Sequence, residues 1–243
     1  MRRKQFAGEL CVYCNSNPAV VPDHVFARKF FPVNQRDNLP QVPACHKCNN
    51  EKSRLEHHLT ALLPFGGSHA DALTNLETMV PKRLAKNARL HRALAHGRDT
   101  TWNRSKGGLL VRQMTLPMGG QLEKLFEFIA KGLLWHHWKV RLTDDHTVVA
   151  GLVPDNFLDP FSKVPPDRRV NDSLGGGTVS YQGFQGNDYA EVSAWEFTMY
   201  GGLEIIDETQ QPPRTYRKIG ATTSHKRVTE KAERLRRLMS GRL

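Results

Sequence analysis

The 243 residues predict an α+β protein: a short zinc-stapled module of two strands and a helix, then a helical segment, then a small antiparallel sheet with a basic C-terminal helix. Three observations carry this expectation. Two Cys-x-x-Cys pairs, Cys11-Val12-Tyr13-Cys14 and Cys45-His46-Lys47-Cys48, use every cysteine in the chain. Residues 121–138 repeat apolar side chains at helical spacing. From Val140 onward, runs rich in Val, Tyr, Phe, Trp and Thr alternate with Gly and Pro turns, the pattern of strands.

Each Cys-x-x-Cys pair places two thiolates within reach of one ion, and two pairs supply the four soft ligands of a structural, tetrahedral zinc. Two disulfides or free thiols are the alternatives. The gap between the pairs, Asn15 to Ala44, is 30 residues. It exceeds the roughly 15–20 of a simple zinc ribbon, so further structure is built inside it. Within it, Val20–Phe26 reads as a strand, Asp37-Asn38-Leu39 as a loop and Val42-Pro43-Ala44 as a second strand. Leu55, Leu59 and Leu62 give helical spacing from Asn49 to about Leu63, ended by Pro64-Phe65-Gly66-Gly67. A module over residues 1–66 and an accessory α+β region over 67–243 follow from this reading.

In the accessory region, Ala70–Met79 and Lys82–Leu94 read as helices broken at Pro81, and Arg98–Gly108 as a loop. Gln121–Trp138 is the clearest helix, its apolar face made by Leu122, Leu125, Phe126, Ile129 and Leu133. Thr147–Val153, Thr178–Phe184 and Glu191–Ile206 read as strands, and Pro154–Val170 as a loop. Lys226–Met239 closes the chain as a basic helix.

Asp23-His24 lies between the cysteine pairs, and Asn49 follows the last cysteine directly. With Asn38-Leu39 in the loop and Cys48-Asn49-Asn50-Glu51-Lys52-Ser53 at the helix start, the segment from about 9 to 63 resembles the HNH endonucleases. That resemblance implies a ββα-metal fold and a divalent-metal-dependent endonuclease acting on DNA phosphodiester bonds. A histidine is well poised as a base at neutral pH, which makes His24 the candidate to activate water. Asp23 and Asn49 carry the oxygen donors that a catalytic Mg²⁺ or Mn²⁺ takes. On a regular strand Asp23 and His24 point to opposite sides, so the pairing requires local distortion. By analogy Asn38 holds the loop and orients His24, and Lys52, on the Asn49 face of the helix, neutralises a phosphate.

Each assignment has a plainer alternative. Asp23-His24 can cap a turn, Asn38 can be ordinary turn chemistry, Asn49 can be an N-cap and Lys52 a solvated helix charge. His46, His57 and His58 stand outside the catalytic set, and packing explains His136-His137. Residues 1–65 hold 9 Lys+Arg against 5 Asp+Glu, residues 66–213 hold 16 against 17, and residues 214–243 hold 10 against 2. The basic excess therefore sits on the module and more heavily on the tail, where Lys226, Arg227, Arg234 and Arg237 are candidate nucleic-acid contacts. A solvated surface helix is the alternative for the tail. No signal peptide and no run of about 18 apolar residues is apparent, so a cytoplasmic protein with no membrane contact is expected. A single site cuts one strand per engagement, and double-strand cleavage calls for a homodimer, a partner protein or two visits. A non-catalytic zinc-stapled nucleic-acid-binding module, or a nuclease acting on RNA, are the competing functions.

Overall fold

The computed structural model describes residues 6–96, 98–104, 110–114, 116–159, 163–207 and 214–230. Strands β1 (Val21–His24) and β2 (Gln41–Ala44) form an antiparallel pair in which Asp23 faces Val42 and His24 faces Gln41. Two 3₁₀ turns, Arg28–Phe30 and Val33–Gln35, fill the connection, anchored by the fully buried rings of Phe26, Phe30 and Phe31. Helix α1 (His46–Leu62) follows β2 at once and starts three residues before the expected Asn49. The reason is local: Cys45 is the N-cap, and its sulfur accepts from the Cys48 N–H at 3.5 Å. A thiolate at a helix N-terminus is favoured by the unpaired N–H groups and their positive partial charge.

Helices α2 (Ala70–Thr78), α3 (Val80–Lys86) and α4 (Ala88–His96) come next. The single helix expected over Lys82–Leu94 is thus two, divided at Asn87, whose side-chain oxygen accepts from the Leu90 N–H and caps α4. Pro81 stands in the first turn of α3, where its missing N–H has no helical partner to lose. The expected Arg98–Gly108 loop is corrected in part, because β3 (Arg98–Arg104) pairs with β4 (Leu110–Met114). Helix α5 (Gln121–Trp138) has the expected bounds, with Gly120 at φ 75° supplying a left-handed N-cap.

Beyond α5 lie β5 (His146–Val153), β6 (Arg169–Leu174), β7 (Val179–Gln185), β8 (Ser193–Met199), β9 (Ile205–Asp207), β10 (Arg214–Tyr216) and β11 (Lys218–His225). Five of them make an antiparallel sheet in the order β5-β11-β8-β7-β6. The expected strand over Glu191–Ile206 is interrupted where Tyr200, Gly201 and Gly202 all take positive φ and turn the chain. Strand β6 begins inside the expected Pro154–Val170 loop. Of the basic C-terminal helix, residues 226–230 are helical, and 231–243, including Arg234 and Arg237, lie outside the described residues.

The sheet packs on α5 through Phe126 and Phe197, whose ring centroids are 4.9 Å apart. Phe26, from the turn after β1, joins the same layer at 5.5 Å from Tyr181 and 6.2 Å from Phe197. Gly132 of α5 lets the backbone approach Val25, since a Cβ there would stand 3.1 Å from a Val25 methyl. One apolar core therefore runs from Cys11 and Val25 through α5 to Trp195 and Ile219. Buried residues from both sides of residue 66 belong to this core. Among the described residues no helix is long and apolar enough to cross a membrane.

Candidate active site

Asp23 and His24 line one cleft of about 180 Å³, together with Ala27, Arg28, Lys29, Ser53, Glu56 and His57. The pair that regular strand alternation would separate shares a site because His24 is the last residue of β1. The Val25 N–H still bonds the Pro40 carbonyl at 2.9 Å, and the His24 carbonyl accepts from Lys52 at 2.6 Å.

Beneath the cleft is a buried polar lattice. Lys52 is fully buried, and its ammonium also meets Asp23 Oδ2 at 3.1 Å and Glu56 Oε1 at 2.5 Å. Tyr13 donates its hydroxyl to the same Asp23 Oδ2 at 2.6 Å. Burial alone would drive the Lys52 proton off, but the carboxylates of Asp23 and Glu56 outweigh it and hold the ammonium above its ordinary pKa. Burial raises Glu56, an effect that Lys52 partly opposes. Burial and then the Asp23 charge push Tyr13 well above the usual phenol, so it remains a neutral donor.

This geometry corrects the role expected for Lys52. Its three N–H donors are directed at Asp23, Glu56 and the His24 carbonyl, and with no exposed surface it has no path to a phosphate. It is the counter-ion that permits two carboxylates to stand together beneath the cleft.

Asn38 is an exposed turn residue with φ 56°, a conformation that asparagine tolerates well. A side-chain contact to His24 comes from Gln41, across the strand pair, with its amide nitrogen 2.9 Å from His24 Nε2. Asn49 is half-buried in the first turn of α1. It precedes Lys52 and Ser53 by one turn on the same helix face, and it is not among the residues that line the cleft.

The sulfurs of Cys11, Cys14, Cys45 and Cys48 lie within 4.8 Å of one another, and those of Cys14 and Cys45 are 3.9 Å apart. Four thiolates about 2.3 Å from a common centre have this spacing, so the cluster suits a closed structural zinc site. Asn17 adds side-chain N–H contacts to Cys14 at 3.6 Å and Cys45 at 3.9 Å.

The remaining histidines and the tail separate cleanly. His58 Nε2 lies 2.8 Å from the Pro117 carbonyl, a structural contact, and His46 is exposed. His137 packs against Tyr181, Trp138 and Trp195, as expected for a packing residue. Lys226 and Arg227 follow β11, where the Lys226 N–H bonds the Asp145 carbonyl, and neither lines the cleft. Tyr13, Gln41 and Glu56 are the site residues that sequence reasoning missed. Only Glu56 carried a usable signal, its position four residues after Lys52 on a helix.

No protein-family model, no curated protein and no solved structure matches this chain.

Proposed function

We propose that the chain is a divalent-metal-dependent endonuclease of the HNH type, hydrolysing DNA phosphodiester bonds. The observation that carries this reading is the shared cleft of Asp23 and His24, roofed by α1 and continuous through β2 with the four-cysteine cluster. In this reading His24 takes the proton from the attacking water. An amide can meet an imidazole either way round. The Gln41 amide beside Nε2 fixes the orientation of the ring, and the ring's tautomer sets which nitrogen takes the proton.

Asp23 and Asn49 are the oxygen donors proposed to hold Mg²⁺ or Mn²⁺. Such an ion, when bound, supplies Lewis-acid stabilisation of the phosphoryl and leaving-oxygen charge. Asp23 fits such an ion, whereas Asn49, one turn before Lys52 and Ser53 on α1, is not among the residues lining the cleft. The hydrogen bonds of Asp23 converge on Oδ2, which leaves Oδ1 for the cleft. Asp23 and Glu56 together carry one more charge than Lys52 neutralises, and Arg28 and Lys29 line the same cleft. Lys52 and Tyr13 orient the Asp23 carboxylate, and Gln41 orients the base.

The test is incubation of purified protein with supercoiled plasmid and with RNA, with and without Mg²⁺ or Mn²⁺. DNA nicking that needs the metal and falls at least about a hundredfold in His24→Ala is the expected result, given the roughly 10²–10⁴ contributed by a general base. Near wild-type nicking by His24→Ala would remove the mechanism. Cleavage of RNA alone would change the substrate, and binding with no cleavage of either would return the non-catalytic module.

A further inference from the structure

Cations converge on one side of the cleft without carboxylates to close them. Arg28 and Lys29 are exposed on the 3₁₀ turn that leaves β1, and both line the cleft, as does exposed His57 of α1. Arg36, Arg83 and Lys86 stand close enough to Lys29 to act on it electrostatically. Among the described residues, no ion pair within 4 Å includes any of Arg28, Lys29, Arg36, Arg83 or Lys86. The nearby carboxylate, Glu56, is already committed to Lys52.

The group is also built to stay in place. Arg83 donates to the Lys29 carbonyl at 3.1 Å and to the Thr60 carbonyl of α1 at 2.5 Å, fastening the turn to the helix. Phe30 and Phe31 bury the chain immediately after Lys29, and Arg36 donates to the Phe31 carbonyl at 3.1 Å. The Lys29 ammonium is 3.4 Å from His57 Nδ1, so lysine and imidazole form one rim. Burial and then the Arg83 charge lower the Lys29 pKa, and burial followed by Lys29 lowers that of His57. A fixed group of like charges beside a cleft is held at an electrostatic cost that an anion relieves.

We infer that Arg28, Lys29 and His57 form a phosphate-docking rim that seats the backbone of duplex DNA against the Asp23–His24 cleft. The inference rests on the nuclease reading for the identity of the substrate, and it transfers to this rim the phosphate contact expected from Lys52. Phosphates on the 3₁₀ turn would lie beside His24, four residues before Arg28, which places a scissile bond near the base and fixes register without reading sequence. Lys226 and Arg227 then add affinity at a distance from the cleft or none.

The experiment is equilibrium binding of a fluorescein-labelled 20-base-pair duplex without added Mg²⁺ or Mn²⁺, so that no chemistry takes part. The slope of log K against log salt is measured for the full-length, zinc-loaded protein, for Arg28→Gln/Lys29→Gln and for Lys29→Arg. Removing one cation from a duplex phosphate should lower the slope by about 0.9, so the double variant should drop by about 1.8 while Lys29→Arg stays at the wild-type value. Zinc content and thermal midpoint serve as folding controls, and both substituted side chains are exposed. A wild-type slope in the folded double variant would overturn the rim. A reduced slope with a wild-type protein that never cleaves would keep the rim and remove the nuclease reading. Normal cleavage with an unchanged slope would do the reverse.

Discussion

The segment that carries the cleft and the half that carries the sheet share one apolar core but bury charge in different ways. Residues 6–66 hold a strand pair only four residues long, a buried lysine with two carboxylates, and four clustered cysteines. The sheet-and-helix half buries Phe126, Tyr181, Trp195, Phe197, Met199 and Ile219 in continuous apolar contact. Each half has one buried glutamate–lysine contact, but the contexts differ. Glu196 meets a partly exposed Lys218 at 2.9 Å and also accepts from Gln182 at 2.8 Å, whereas Lys52 alone balances two carboxylates with no exposure at all. The sheet half combines apolar burial with neutral hydrogen bonds such as those among Ser193, Thr223 and Trp195, at a small cost in buried charge. The cleft half is held by directional contacts, which are intolerant of loss but place catalytic groups accurately.

The largest expected effect that would break this comparison comes from the cysteines. Cys45→Ser removes both a metal ligand and the N-cap of α1, and structural zinc contributes on the order of 10–16 kcal/mol to folding such modules. The variant should lose zinc and the cooperative folding of residues 6–66. Stoichiometric zinc absent from a well-folded wild-type preparation would reject the staple.

Next comes Lys52→Met, which leaves Asp23 and Glu56 buried and uncompensated. It should destabilise by about 3–5 kcal/mol. Lys218→Met should cost only about 1–2 kcal/mol, because Gln182 still serves Glu196. Urea denaturation of both variants measures the difference, and equal losses would show that the two halves treat charge alike.

The packing that joins the halves is probed by Gly132→Ala. Its Cβ would crowd Val25, costing about 1–3 kcal/mol, partly offset by roughly 1 kcal/mol of helix propensity. In a double-mutant cycle Val25→Ala should relieve the crowding. Strict additivity would show that α5 and the cleft segment do not bear on each other.

The smallest effect is one of pH. Burial and then His136 lower His137 from 6.5 to about 4, so its neutral form is the one the fold accommodates. A depressed histidine pKa gives stability that is complete above pH 6.5 and is lost as pH falls toward 4. With the ring half-exposed, solvent screening limits this to on the order of 1 kcal/mol. The thermal midpoint of wild type should therefore fall more than that of His137→Gln between pH 7 and pH 4.5. Parallel curves would assign the acid response to other groups.

What is legible in the sequence follows the same division. Helix α5 is readable to its end residues because an amphipathic period over five turns leaves little choice. The cysteines are readable because spacing alone brings ligands together. Strand β6 is not, since it is an edge strand exposed along most of its length and carries no apolar alternation. Strand β11 is also hard to read, since Gly220, Ala221, Thr222, Thr223 and Ser224 are short side chains with little apolar signal, and its place is fixed by β5 and β8 on either side. In the cleft, Asp23 and His24 can be named from sequence, but the phosphate-facing role read for Lys52, like its solvated alternative, assumes exposure, because a lysine in a helix looks exposed until its tertiary partners are known. Gln41 depends on strand register and Tyr13 on tertiary approach, and neither is written in local spacing.

Strand β2 has a consequence for how the proposed enzyme would respond to oxidants. Gln41, beside the His24 ring, and Cys45, in the metal cluster, are the two ends of one short extended run, about 13 Å apart at roughly 3.3 Å per residue. Four residues of extended backbone therefore separate the sulfur cluster from the amide beside the imidazole. Peroxide that converts one thiolate to a sulfenic acid and expels the zinc would thus disturb proton placement at His24 while the five-stranded sheet stood intact. Phosphodiester cleavage should then fail at lower oxidant doses than the near-ultraviolet signal of Trp195, making the cysteine cluster a fuse for activity as well as a support for the fold.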